Sequence, residues 1–480
     1  MRRSQQEDLD DQSEDEAAIR SNKRLVIEAS HNNRMRTAVG AILTALSVMM
    51  GPLSFSSRSA WAGEPAVQLA LHDGDRVLFY GDSITEQGHY TDSLEAIVRT
   101  RFPAWKITFI NSGWSGDRAW GGEGGGIEER LHRDVIPHRP TVIAIMLGMN
   151  DAYYTDYDPK TAQDFSKNLV RILEILQHDL PQARITLIGA SPYDSVTPAP
   201  RPDWEEKIDG GYNAVVRRYS ETTAEVARTH GLTFVDMNEP LVKLLGEVRR
   251  RQPQLVEKVI PDRIHPGPQA GFFMAEHLAR GWKLTAPASS VVLDADASAR
   301  VVAAKQATVT NLVRDGGLRW TQCDAVLPLP VECADPLARL VGECSPELQE
   351  LTRQTLRVDN LPAVAATLSI DGAAMGDFDR AQWAEGVDLS QLPTPMLRQA
   401  LDAARLIQIR NRAAFVRRRR LQMSPQSMDS KNLEQSAIEM TALENDVDEL
   451  AAKLLRPVPH RFEVEWPIAD APSDPRNSPR

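Results

Sequence analysis

The sequence predicts an α/β fold built on a five-stranded parallel sheet, followed by a C-terminal β-rich and helical accessory region. Three observations predict it. From Gly63 onward, short apolar β-branched runs alternate with longer amphipathic stretches. Each of the first three runs ends in a short polar motif, and beyond Thr285 the pattern changes to closely spaced alternating segments and then to helical periodicity. The 480 residues, 42% hydrophobic and 25% charged, hold apolar material for one large or two ordinary cores, which excludes wholesale disorder. With 55 Lys and Arg against 66 Asp and Glu the net charge is −11, so the chain lacks the basic field that non-specific nucleic-acid binding needs, and no nucleic-acid partner is expected. Three cysteines are too few for a disulfide scaffold or a four-cysteine zinc site.

Residues 1–62 read as a leader. A charge-mixed stretch precedes Arg34 and Arg36, an apolar run covers 38–53, and Ala60-Trp61-Ala62 supplies small residues for cleavage before Gly63. Gly51 and Pro52 break the apolar run short of the roughly 20 residues a spanning helix needs, so no stable membrane span is expected after cleavage; an uncleaved anchor is the alternative. Signals normally begin with their basic residues, which predicts a true translation start at Met35. The leader carries equal numbers of acidic and basic residues, so the exported chain, periplasmic or secreted, keeps its net charge of −11.

In the catalytic-size domain, residues 63–285, strands are predicted at 76–80, 107–110, 142–147, 185–188 and 233–235. Helices are predicted at 91–101, 127–134, 161–179, 207–230, 240–251 and 269–282. In the third of these, Phe165, Leu169, Ile172, Leu173 and Leu176 recur at three- and four-residue spacing and mark one buried face. Ligands bind open α/β sheets at the carboxyl ends of the strands. There the first strand runs into Gly81-Asp82-Ser83-Ile84, which can present a hydroxyl at a sharp turn or merely cap a helix. The second runs into 111–117 (NSGWSGD) and the third into Gly148-Met149-Asn150-Asp151, whose glycine N–H groups and Asn amide suit an oxyanion hole. Past the fifth strand, Asp262 stands three residues before His265, a spacing that lets a carboxylate orient an imidazole base.

The order GDS, glycine after strand two, GxND, DxxH resembles the four blocks of the SGNH (GDSL-type) hydrolase family, over about Gln68 to Thr285. The resemblance implies a flavodoxin-like three-layer sandwich and a serine esterase that needs no cofactor and no metal. It implies Ser83 as nucleophile, His265 as base, Asp262 as its orienting acid, and an oxyanion hole from the N–H groups of Ser83 and Gly116 and the Asn150 side chain. Block one departs from the family pattern only in Ile84, which keeps the apolar packing role. A catalytically inactive carbohydrate-binding protein is the reading from another class, since fold alone does not establish activity.

The family includes carbohydrate acetylesterases, lipases and lysophospholipases. Trp114, Trp120, Tyr153, Tyr154, Tyr157, Tyr193 and Trp204 fall in the loops that rim the site, and these loops carry no long apolar stretch for an acyl chain. A small acyl ester, an acetylated carbohydrate, is therefore the expected substrate, with a lipase or lysophospholipase as alternative. Trp114, Tyr153 and Asp151 are candidate substrate contacts. The run 121–126 (GGEGGG) lacks a P-loop ending and reads as a flexible loop or site lid, while the prolines of 191–204 make a stiff excursion shaping the entrance.

Residues 286–394 read as a β-rich accessory module and 395–468 as a helical region, with Leu397, Ala400, Leu401, Ala404 and Ile407 on one stripe. Plain structural support is the favoured role, with carbohydrate binding or shaping of the active site as the competing readings. The consecutive Arg417 to Arg420 point around a helix and read as solvated, and 469–480 as a disordered tail. One pair among Cys323, Cys333 and Cys344 could bridge in an oxidising compartment, and spacing does not choose which. Oligomeric state is left open.

Overall fold

A computed structural model describes residues 70–198, 200, 202–284, 289–332, 334–345, 353–423 and 430–466. The leader and the tail read from the sequence lie outside them. Five parallel strands, β1 (Arg76–Gly81), β2 (Thr108–Gly113), β3 (Val142–Met146), β4 (Arg184–Ile188) and β5 (Thr233–Val235), lie in the order β2-β1-β3-β4-β5. The chain leaves β1 to one side and returns to its other side at β3, so the strand order reverses between β1 and β3. Such a reversal opens a crevice at the strand ends, and Gly81 pairs there with both Gly113 and Met146.

Two groups of helices cover the sheet. Helix α1 (Ser83–Glu86) follows β1 directly and leads to α2 (His89–Arg101), which packs on α7 (Pro268–Gly281). Helices α3 (Ile127–Asp134), α4 (Pro159–Asp179) and α5 (Tyr212–Thr229) pack in succession, and α6 (Asn238–Arg251) follows β5. Helix α4 begins with Asp158 accepting from the Lys160 and Thr161 amides and Pro159 in the first turn. Its face of Phe165, Leu169, Ile172, Leu173 and Leu176 is buried, as its spacing predicts. Val77, Leu78 and Phe79 are wholly enclosed, which fits a central strand covered on both faces.

The accessory region forms two sheets. One orders β8 (Ala307–Arg314), β9 (Gly317–Asp324), β14 (His460–Glu465), β11 (Ala365–Ile370) and β12 (Ala373–Asp379) as β8-β9-β14-β11-β12. The other orders β6 (Ser290–Asp294), β7 (Arg300–Lys305), β10 (Thr355–Asp359) and β13 (Val387–Asp388) as β13-β10-β6-β7. Their shared core includes Leu293, Trp320, Leu356, Leu368, Trp383, Phe462 and Val464. The region read as helical, 395–468, therefore ends in a strand at the middle of the β module's larger sheet. Phe462 and Val464 alternate with charged residues and point inward.

Helix α8 (Pro336–Cys344), in the segment read as β-rich, instead buries Leu337, Leu340 and Val341 in the core around the parallel sheet. Helices α9 (Arg380–Glu385), α10 (Pro395–Val416) and α11 (Ser430–Leu454) follow among the described residues. The α10–α11 hairpin lies on α2, with Ile407 and Ala451 packed against Ala96. Ion pairs tie it down: Arg410 to Glu95, and Arg99 to Asp448 at 2.6 Å. Cys323 and Cys344 carry free thiols, and Cys333 lies outside the described residues. No helix among the described residues is long and apolar enough to cross a membrane.

Candidate active site

The Gly81-Asp82-Ser83 corner is shaped by contact. A side-chain carbon on Gly81 would lie 2.6 Å from the Met146 carbonyl, and one on Gly113 would lie 2.2 Å from the Glu86 amide nitrogen. Only glycine lets α1 sit this close to the ends of β2 and β3. Asp82 is extended and accepts from the Ile84 amide at 3.0 Å, capping α1 so that Ser83 opens it. Burial pushes the Asp82 carboxyl up to about 7, against the Ile84 hydrogen bond and the attraction of His265.

Ser83 and the Asp262–His265 pair, far apart in sequence, are brought together here. The Ser83 hydroxyl lies 2.7 Å from His265 Nε2, and His265 Nδ1 lies 2.5 Å from Asp262 Oδ2. With Nδ1–H given to the carboxylate, Nε2 is left to accept from the serine. The other Asp262 oxygen accepts from the amides of Ile264 and His265, at 3.0 and 2.7 Å. This tight turn is possible because Arg263 adopts a left-handed conformation, φ 70°. Arg263 donates at 2.6 Å to the Asp194 carbonyl, and Asp194 N donates back to the Arg263 carbonyl at 2.8 Å, so the proline-rich excursion braces the His265 turn. Burial lowers the His265 pKa, but the hydrogen bond and charge of Asp262, with the charge of Asp82, outweigh it and leave the imidazole above its ordinary value. Burial would raise Asp262; its bond to His265 and the His265 charge hold it below the usual carboxylate range.

Gly116 takes φ 75°, in a turn closed by Asp117 N donating to the Trp114 carbonyl at 3.0 Å. Asn150 is nearly buried, and its Nδ2 donates to the Asp117 carbonyl at 3.1 Å. The Tyr154 hydroxyl donates to Asn150 Oδ1 at 3.2 Å, which fixes the amide's orientation and leaves its second N–H for a ligand. Tyr154 is held by a left-handed backbone, φ 55°, and by stacking on Tyr212 with ring centroids 4.9 Å apart. Beneath the loop, Asp117 pairs with Arg130 at 3.0 Å, both fully buried, and Arg130 also donates to the Ser112 carbonyl.

The three candidate substrate contacts fall differently. Asp151 is 3% exposed, and its carboxylate accepts from the Ala119 amide at 2.8 Å, so it braces the Gly116 loop rather than facing a ligand. Trp114 is flanked by guanidinium groups, Arg419 at 3.3 Å and Arg130 and Arg133 at 5.2 and 5.1 Å from its ring centroid. Tyr153, 43% exposed, hydrogen-bonds through its hydroxyl to Nε1 of Trp120, 44% exposed. Arg118 lies 4.7 Å over Tyr153 and donates to the Asn150 backbone carbonyl at 3.1 Å. In the glycine run, Gly121–Gly122 pairs with Gly125–Gly126 as a ribbon, and a side-chain carbon on Gly124 would lie 2.6 Å from the Trp114 ring.

Arg130, Arg263 and Glu86 were missed by sequence reasoning, and Tyr154 was read only as an aromatic of the rim. Arg130, Arg263 and Glu86 act through partners that no short spacing announces: Asp117, Asp194 and Ser115. Among the described residues no group of three or more His, Cys, Asp or Glu could hold a metal ion.

Residues 79–270 match the GDSL-like Lipase/Acylhydrolase family. No curated protein matches the chain. Among solved structures, a gut microbial diltiazem-metabolizing enzyme is 22% identical, with a TM-score of 0.68, over 83% of this chain and 98% of that one. An acetylxylan esterase from Geobacillus stearothermophilus is 20% identical, with a TM-score of 0.35, over 45% of this chain and 96% of that one. Another acetyl xylan esterase is 18% identical, with a TM-score of 0.34, over 43% and 98%. The corner at Ser83, the parallel sheet and the matched span together make residues 79–270 a domain of the GDSL-like lipase/acylhydrolase family.

Proposed function

We propose that the protein is an exported serine esterase that removes small acyl groups, acetyl above all, from carbohydrate by a Ser-His-Asp acyl-enzyme mechanism. The observation that carries the reading is the continuous chain Ser83 Oγ, His265, Asp262, at 2.7 and 2.5 Å. Ser83 attacks the acyl carbon while His265 Nε2 takes its proton, and Asp262 balances the imidazolium. Charge on the carbonyl oxygen is met by the N–H groups of Ser83 and Gly116 and the second N–H of Asn150. His265 then returns the proton to the leaving alkoxide. Water, deprotonated by the same imidazole, frees Ser83 and releases the acid.

The carbohydrate part of the reading is supported by the exposed Trp120 and Tyr153 pair, tied through Arg118 to the Asn150 backbone carbonyl, because rings with polar tips suit sugar faces and hydroxyls. The export part is supported by the leader pattern at 1–62.

The Ser83→Ala variant is expected to lose p-nitrophenyl acetate hydrolysis by about a thousandfold or more while keeping its circular dichroism spectrum; near-full activity would refute the mechanism. Wild-type turnover of acetyl against long-acyl esters, with acetate release from acetylated xylan, tests the substrate. Rates rising with chain length would instead mark a lipase or lysophospholipase, and sugar binding without any turnover a binding protein.

A further inference from the structure

The arginine run after α10, read from the sequence as solvated, turns instead into the catalytic domain. Residues Arg417–Gln422 form a π-helical turn. Arg417 fixes it by pairing with Glu444 of α11 at 2.6 Å. Arg418 donates to the Asn111 carbonyl at the end of β2. Arg419 pairs with Glu86 at 3.1 Å, and its guanidinium lies 3.3 Å from the Trp114 ring centroid.

Both of its partners belong to the machinery of the site. Glu86 is the last residue of α1, one turn from Ser83 and on the same side of that turn. Its carboxylate accepts from the Ser115 amide at 3.0 Å and from the Ser115 hydroxyl. Trp114 and Ser115 immediately precede Gly116. A single guanidinium from the C-terminal region therefore touches the helix that carries the nucleophile and the loop that carries an oxyanion donor. The Glu86 and Arg419 side chains are mostly shielded, at 12% and 23% exposure. A shielded carboxylate is stable in place only while its counter-charge is present.

We propose that Arg419 is a positioning residue for acyl transfer: through Glu86 and Trp114 it holds the Ser115-Gly116 peptide in register with Ser83, so the C-terminal region completes the catalytic site. The inference rests on the esterase reading. Without Arg419, Glu86 loses its partner and swings toward water, Ser115 loses its acceptor, and the Gly116 N–H drifts from the developing oxyanion. The loss falls on the transition state rather than on substrate binding. Lysine is a poor substitute, since an ammonium cannot lie flat on the Trp114 ring while pairing with a carboxylate.

A cavity of about 600 Å³ lies beside this contact, between Trp114, Ser115 and the glycine ribbon on one side and Phe415, Arg419 and Met423 on the other. It gives a small guanidinium ion room to replace the missing side chain.

The test measures p-nitrophenyl acetate hydrolysis by the full chain and its Arg419→Ala, Glu86→Ala, doubly substituted and Ser83→Ala variants. Arg419→Ala is expected to lower kcat about tenfold, as displacement of a reacting geometry does, with KM changed less than about twofold. Guanidinium chloride at non-denaturing concentration should restore part of the loss. Glu86→Ala should show a similar loss, and the double variant no more than either alone, because both break one connection. Unchanged kcat in Arg419→Ala, with Ser83→Ala inactive, overturns the inference and leaves the esterase reading standing. A raised KM at unchanged kcat also overturns it, by making Arg419 a substrate contact. Full activity in Ser83→Ala overturns the esterase reading itself. If Arg419→Ala fails to fold, Glu86→Ala decides alone: full kcat there refutes the coupling.

Discussion

Among single residues, His265 shows how its neighbours set its chemistry. Burial alone would hold the imidazole neutral to lower pH, yet Asp262 at 2.5 Å, aided by the charge of Asp82, raises its pKa above the ordinary value. The protonated ring cannot accept the Ser83 proton, so activity is lost as pH falls through this raised pKa. The acid limb of kcat/KM is therefore expected to have its midpoint above about 6.5. A midpoint at or below that value in a pH profile would show that Asp262 does not act on the ring as described. Asp82 and Asp151 are each pushed by burial to about 7, and the charge of Asp82 adds to the rise at Asp151. They brace α1 and the Gly116 loop by accepting from the Ile84 and Ala119 amides. Ser83, Asp262 and His265 could be named from the sequence because four short motifs in order, GDS, a glycine, GxND and DxxH, resemble those of one hydrolase family. The brace Tyr154 gives Asn150 could not, because its position depends on stacking against Tyr212, which comes from another helix.

Elements meet at the site through close backbone approach. Gly113 ends β2 with the Glu86 amide nitrogen 2.2 Å from where its side chain would begin. Gly113→Ala must push α1 away from β2 and carry Ser83 with it. The expected cost is about 1–3 kcal/mol of stability, typical of an overpacked contact, together with a fall in kcat larger than any rise in KM. Denaturant unfolding and steady-state kinetics on the same preparation check both; an unchanged variant would mean that α1 can shift freely. The strands and helices of the catalytic domain were legible because buried parallel strands and amphipathic helices have distinct periods. Strand β14 was missed although Phe462 and Val464 alternate with charged neighbours, because its pairing partners β9 and β11 lie far earlier in the chain. Only that distant pairing makes six such residues a central strand.

On the scale of the whole molecule, the accessory region is joined to the catalytic domain at several points. Helix α8 places Leu337, Leu340 and Val341 in the core around the parallel sheet, and the α10–α11 hairpin is bolted to α2 through Arg410, Asn411 and Asp448. Leu340→Ala is expected to cost about 2–5 kcal/mol and to lower the temperature of one shared unfolding transition. A calorimetric trace with two transitions, only one of them shifted, would refute that coupling. By itself the sequence determined the five-strand alternation, the corner at Ser83 and the pairing of Asp262 with His265, because these follow from periodicity and from contacts within a few residues. Tertiary structure alone decided that β14 returns to the middle of a sheet, that Asp151 braces a loop, and that Arg419 reaches Glu86 and Trp114. Those outcomes depend on which distant surfaces bury one another, and a charged side chain takes its role from the partner it meets there.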